Sequence, residues 1–395
     1  MDRCIITPTY VNHFKYIRKY LESFLKYVND KENVTLIFTI SNNEKDKFNE
    51  VISDFKNKCD IKVLIFEDIL RYYNVPYTNE ELLFKYKKFS YQTLKKFYTM
   101  LYCNYKQMLV LDSETEFITE TNIKNLFIDY FSNPFITFCD NTKLPYIGDF
   151  KKGVIYNCKL ILNMSNDYWF LENFVWFYDK DILNDLFANY GTPIEIVDKI
   201  YKNTKYQYLE PGCFEICLYQ SYLYMNKDKY NYRVLDSTEL LKIYLKKDYT
   251  KYINDYLNLL HGEFGLLEMS MVLLKNHNYM LLAQLFKDNN ISVMRCDYSN
   301  FENYYLQKKF LNFYSPKILA ASQNHCFGIN DKIYYKFKMF SLYNNKYAHF
   351  IYHDLNFILE PFKFLFYRFR ALLYIFKNLF LWFVEIVKNL KVFYG

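Results

Sequence analysis

The chain has 395 residues, 51% of them hydrophobic, enough to build two or three compact regions with sizeable cores. A net charge of +7 spread over this length lacks the concentrated basic stripe of a nucleic-acid binder. Nine scattered cysteines with no CxxC pair argue against a disulfide scaffold or a zinc site and predict reduced thiols in the cytosol. The 43 Tyr and 38 Phe, alongside many Lys, Asn and Ile, fit an AT-rich genome, so they do not by themselves predict stacking on bases.

Along the chain, strands and helices are expected to alternate over the first 140 residues. Cys4–Thr7 reads as a short apolar strand. His13–Val28 has helical spacing, with Tyr16, Tyr20, Phe24 and Val28 on one stripe. Val34–Ile40 is a second strand, and a charged helix follows from about Glu44 to Lys56. Ile61–Phe66 is a third strand that ends on Glu67-Asp68. Ser90–Tyr102 is a helix with Ser90 as its cap. The apolar run Gln107–Leu111 then stops abruptly on Asp112-Ser113-Glu114. This β-α-β-α-β-α-β order predicts an α/β fold with a mostly parallel, helix-covered sheet. Ligands of such sheets bind beyond the carboxyl ends of the strands.

Further on, Phe135–Cys139 and Val154–Leu162 are expected strands around a loop. From about residue 166 the pattern is mostly helical, with one more strand near 231–235. The expected division is a sheet domain over 1–235, a helical region over 236–360 that completes the site, and a tail over 361–395 opened by Pro361. The start of the chain lacks a signal-peptide pattern, and no stretch of about 18 uncharged apolar residues predicts a spanning helix.

The strand ends carry the chemistry. Asp112 and Glu114 on a rigid strand end suit a divalent cation, Mn2+ or Mg2+, that bridges a sugar-nucleotide diphosphate. A solvated acidic turn would look the same. In Thr7-Pro8-Thr9-Tyr10, a turn would set backbone N–H groups and the Thr7 hydroxyl against a nucleotide, with Tyr10 stacking on the base; an ordinary Pro turn is the plain alternative. There is no GxGxxG and no Walker loop, so a dinucleotide or P-loop site is not expected. Glu67 and Asp68 are candidates for ribose or base contacts. Gln92 and Lys95, three apart on one helix face, would bring an amide and a positive charge to the diphosphate. A solvated helix face explains either lysine, 95 or 96, equally well.

Taken together, Tyr91-Gln92-Thr93-Leu94-Lys95 and Met108-Leu109-Val110-Leu111-Asp112-Ser113-Glu114-Thr115-Glu116-Phe117 resemble the donor-site core of bacterial GT-A glycosyltransferases. Ile5-Ile6-Thr7-Pro8-Thr9-Tyr10 resembles their first strand and donor loop. The resemblance covers residues 3–120 well and the next hundred loosely, and Glu114 stands where the family's Asp-x-Asp motif has its second Asp. It implies a GT-A, Rossmann-like fold and a donor site of Thr7, Tyr10, Asp68, Gln92, Lys95, Asp112 and Ser113, with metal contacts from Asp112 and Glu114. Cys213–Tyr222 is similar to the segment that presents an acid to the acceptor. That implies Glu215 as the base of an inverting reaction, with Tyr219 one helical turn away on the acceptor side. A carboxylate stabilised by its helix N-terminus is the simpler reading of Glu215. The resemblance also implies a late metal-contacting His, for which His325 is best placed and His261 second.

The tail from Phe362 to Gly395 carries six Lys and Arg against Glu385 alone, and on a helix all of the six but Arg368 segregate from a broad Phe, Leu, Ile, Tyr and Trp382 face. A basic amphipathic segment suits the surface of an anionic membrane; docking on the rest of the chain, or a dimer contact, would use the same face. The expectation is a cytoplasmic enzyme, peripheral at the inner face of a bacterial membrane. It would transfer sugar from a nucleotide-sugar to a glycan or lipid-linked acceptor of the cell surface. The alternative is a non-catalytic membrane-associated scaffold on a degenerate transferase-like domain.

Overall fold

The computed structural model describes residues 2–117, 120–140, 142, 149–170, 176–205, 212–246, 249–250, 279–291, 294–296 and 318–320. All lie in the first of the two units into which the chain divides, Met1–Cys326. His261, His325 and the tail over 361–395 fall outside the described residues.

The first strand, β1 (Arg3–Pro8), buries Cys4, Ile5 and Ile6 completely. Helix α1 (Phe14–Tyr27) packs Phe14, Ile17, Tyr20, Leu21 and Phe24 inward at helical spacing. Each of these large side chains contributes roughly 2 kcal/mol by leaving water. Strand β2 (Thr35–Ile40) is buried at every residue, as a strand covered on both faces must be. Helix α2 (Lys45–Ile52) leads to β3 (Ile61–Ile65), and α3 (Phe66–Tyr72) starts at once. Glu67 and Asp68 therefore stand in the first turn of a helix, where acids are favoured, and not on a strand-end loop.

Helix α4 spans Asn79–Tyr102, eleven residues longer at its start than expected, because Thr78 and Glu81 form a reciprocal capping box upstream. A kink at Lys87 (φ 60°, ψ 175°) divides it, and Ser90 lies buried in the second segment and does not cap the helix. After β4 (Gln107–Val110) come α5 (Ile123–Ser132) and β5 (Phe135–Asp140). Helix α6 (Asp149–Leu162) replaces the expected strand over Val154–Leu162. Its β-branched residues suggested a strand, but Val154, Ile155, Cys158, Ile161 and Leu162 are buried with the spacing of a helix stripe. The short strands β6 (Tyr168–Trp169) and β7 (Phe177–Asp179), helices α7 (Lys180–Tyr190), α8 (Pro193–Asn203) and α9 (Glu215–Met225), and strand β8 (Arg233–Asp236) complete the part that matters for the site.

The main sheet runs β3-β2-β1-β4-β7. Its first four strands are parallel, and β7 pairs antiparallel with β4. A smaller sheet, β6-β5-β8, stands beside it, and the helix Ser237–Leu245 packs on β5. The fold is α/β with a mostly parallel central sheet, as the alternation predicted. No helix among the described residues is long and apolar enough to cross a membrane.

Candidate functional site

The chain leaves β1 for β2 on one side and returns from β3 to β4 on the other. This reversal makes the carboxyl ends of β1 and β4 the topological switch point, the place where open α/β sheets take ligands. Two segments meet there. One is Thr7–Tyr10 at the end of β1. The other is the turn after β4, where Leu111 N–H still bonds to Ile6 O at 2.9 Å and Thr115 N–H bonds back to Asp112 O at 3.0 Å. Asp112, Ser113 and Glu114 thus sit on a tight turn mounted on a buried strand.

His13 joins the two segments. Its Nδ1 lies 2.8 Å from Ser113 Oγ and 3.3 Å from Glu114 Oε2, and Ser113 Oγ lies 3.1 Å from the same carboxylate oxygen. A proton on Nδ1 completes a chain from His13 through the Ser113 hydroxyl to Glu114. The Tyr10 ring packs on His13 with centroids 4.3 Å apart, so Tyr10 steadies the link between the loops. Sequence reasoning passed over His13 as the start of a helix. The available signal was an imidazole placed five residues beyond the strand end.

The two lysines of α4 part company. Lys95, expected at the diphosphate, is 4% exposed and donates to Thr9 O at 2.9 Å. Burial pushes its pKa down to about 8, against the smaller upward pull of Glu44 and Glu67. Lys95 thus clamps the loop after β1 from below. Lys96 extends the other way. Its Nζ lies 2.6 Å from Glu215 Oε1 and 3.4 Å from Asp112 Oδ1, over the face of Trp176 at 4.4 Å. Lys96 brings the positive charge to the Asp112 turn that had been expected of Lys95. Gln92 is half-buried one turn earlier on the same helix.

Glu215 opens α9, as expected, but it is 3% exposed. Its Oε1 holds Lys96, and its Oε2 lies 3.0 Å from the Thr93 hydroxyl, which also faces the Cys213 carbonyl. A general base needs an oxygen within about 3 Å of the acceptor hydroxyl, and both oxygens here are engaged inside the protein. Tyr219, expected on the acceptor side, is 1% exposed and accepts the Asp179 N–H at 2.9 Å, so it braces β7. Cys213 and Cys217 are buried thiols.

On the β2 and β3 side, Glu44 Oε1 accepts Val11 N–H at 2.8 Å and its Oε2 accepts Ser41 N–H at 3.2 Å. Glu67 Oε2 accepts Asn42 N–H at 2.9 Å, and its Oε1 takes the Asn79 amide at 3.3 Å. Asn79 also reaches Ser41 Oγ at 2.7 Å and the Tyr91 hydroxyl. These acids stitch loops together. Asp68, the expected donor contact, is exposed and pairs with Arg71 on its own helix.

Asp112 and Glu114 are hard oxygen donors of the kind that Mg2+ or Mn2+ shares with substrate phosphates and water. Among the described residues no three His, Cys, Asp or Glu side chains converge into a metal-binding group.

No family model and no curated protein matches the chain. Solved structures that it resembles include mouse xyloside xylosyltransferase 1 (12% identity, 67% of this chain and 96% of that one, TM-score 0.35). Residues 1–349 of S. aureus TarS superpose at 15% identity over 80% of each chain, with a TM-score of 0.30. A 4-diphosphocytidyl-2C-methyl-D-erythritol synthase from Anaerococcus prevotii superposes at 13% identity over 59% and 86%, with a TM-score of 0.31. Glycosyltransferases thus stand among the neighbours.

Proposed function

We propose that this chain is a nucleotide-sugar-dependent glycosyltransferase with a GT-A-type donor site. One observation carries the reading: the acidic turn Asp112-Ser113-Glu114 stands at the topological switch point, bonded through His13 to the loop after β1, with the Lys96 ammonium 3.4 Å from Asp112. A diphosphate leaving group needs opposite charge and fixed donors where its own charge develops. Loop amides held by Lys95 and Glu44 would line one wall of that site, and the turn would line the other. Tyr10 and Ser113 stand at the joined loops, Thr7 lies behind them on β1 at 1% exposure, and Gln92 lies on α4.

Asp112 and Glu114, with His325 as a further contact, would hold Mn2+ or Mg2+, which supplies Lewis-acid stabilisation of the departing nucleotide. The acceptor would be a growing cell-surface glycan or a lipid-linked sugar. The basic amphipathic segment 361–395 would hold the enzyme at the inner face of a bacterial membrane.

The test is a panel of nucleotide-sugars assayed for hydrolysis and transfer in Mn2+. Turnover of at least one sugar nucleotide is expected, with loss in Asp112→Ala and Glu114→Ala. Unaltered donor binding and turnover in both variants would overturn the reading of Asp112 and Glu114, and turnover of no sugar nucleotide would leave the scaffold alternative standing. For the tail, flotation with anionic vesicles should disappear on truncation before Pro361, and persistent flotation would remove the membrane assignment.

A further inference from the structure

Lys96 is a buried charge paired across distant parts of the chain. It reaches across 119 positions to Glu215 and also meets Asp112 and Trp176. We infer that Lys96 is a built-in cation for the donor diphosphate, and that Glu215 is its positioning residue and not a general base. This rests on the donor-site reading above.

The geometry assigns the parts. The Lys96 side chain is 11% exposed and the Asp112 side chain beside it 26%, so the ammonium stands against the acidic turn and not on a solvated helix face. Buried charges persist where they are paired and hydrogen-bonded. Glu215 supplies that pairing from the first residue of α9, and Thr93, one turn before Lys96 on α4, stands against the second carboxylate oxygen at 3.0 Å. The Trp176 ring closes one side of the ammonium at 4.4 Å, a cation–π contact that also limits where Nζ can move. Glu215 therefore fixes the reach of Lys96 but contacts no substrate. Without the Glu215 charge, the ammonium is drawn onto Asp112 and away from the phosphates. The shared function of the two residues is discrimination between one phosphate and two.

The experiment is calorimetric titration in EDTA, which leaves the lysine as the charge under test. Wild type, Lys96→Met, Glu215→Gln and the double variant are each titrated with UDP and UMP, GDP and GMP, and CDP and CMP. Turnover of the matching nucleotide-sugar in Mn2+ is measured alongside. Wild type should prefer the diphosphate of its nucleotide by about tenfold, the scale of one charge-assisted hydrogen bond. Lys96→Met should lose that preference and keep its monophosphate affinity. Glu215→Gln should weaken diphosphate binding in the wild-type background and change nothing further in the Lys96→Met background, because it acts through Lys96.

Lys96→Met alone leaves Glu215 buried without this partner, so the double variant, with no charge at either position, is the safeguard against misfolding. If the double variant keeps the diphosphate preference, the inference falls. It also falls if Glu215→Gln leaves diphosphate affinity intact and cuts turnover in both backgrounds by about a hundredfold or more, the signature of a base. Diphosphate binding seen only with Mn2+ would remove the Lys96 role and leave the donor-site reading in place. Failure to bind any of the six nucleotides, with or without Mn2+, would remove both.

Discussion

Two parallel strands of this protein end on acids, and the acids do different work. Strand β3 runs into Glu67-Asp68, and β4 runs into Asp112-Ser113-Glu114. In the sequence the two endings look alike. In the fold, β3 is the outer strand of the sheet and its acids are taken up by the first turn of α3. There Glu67 serves the Asn42 N–H and the Asn79 amide, while Asp68 pairs with Arg71 at the surface. Strand β4 lies beside β1 at the switch point, and its acids stay on a tight turn facing a lysine and a histidine from elsewhere in the chain. On the proposed reading, the acidic strand end that serves as a site is the central one, where no helix takes up the carboxylates.

The sharpest way to break that contrast is Asp112→Asn, expected to cut turnover by about a hundredfold or more, as losing one fixed charge at a developing negative centre does. Equal turnover in Asp112→Asn and wild type, measured on folded protein, would make the two strand ends equivalent. The next effect is on stability. Lys95 is held charged in a buried site with its pKa near 8, a shift that corresponds to a cost of about 3 kcal/mol at neutral pH. Above pH 8 the folded chain sheds this proton while the unfolded chain keeps it until about pH 10.5, so the Lys95 contribution to stability rises with pH across that window. Urea denaturation from pH 7 to 10 should show wild type gaining stability relative to Lys95→Met as pH rises, so that the gap between them changes across the window. A gap independent of pH would mean that Lys95 is not titrating there.

Glu67→Gln should lower the unfolding free energy by about 1–2 kcal/mol, since its carboxylate serves two donors, and should leave turnover per folded molecule nearly unchanged. Thermal melts paired with the transfer assay would separate the two readouts. His13→Ala should weaken nucleotide affinity about three- to tenfold by untying the turn from the β1 loop, visible in calorimetry with little change in melting temperature. The smallest effect belongs to Asp68→Ala, expected within about 0.5 kcal/mol in stability because its ion pair is exposed. A large loss of donor binding there would restore the strand end of β3 to the site.

Much of the fold was legible because its signals are local. The apolar run of β1, the inward stripe of α1 and the continuous burial of β2 follow from side chains within a few residues of each other. The acidic turn was legible for the same reason. The misread elements were those in which local preference pointed the wrong way. The β-branched residues of α6 suggested a strand, and the cap of α4 lay at Thr78 because a reciprocal Glu81 followed it there. The site was less legible than the fold, since its contacts span 100 residues from His13 to Ser113 and 119 from Lys96 to Glu215.

By itself the amino-acid sequence determined the alternation of strand and helix, the parallel sheet, and the placing of Asp112, Ser113 and Glu114 at the end of a buried strand. Periodicity and hydrophobicity are enough for that. Tertiary structure alone decided between two neighbouring lysines. A helix sets Lys95 and Lys96 about 100° apart, but only the packing of α4 between the β1 loop and α9 turns one toward a carbonyl and the other toward two carboxylates.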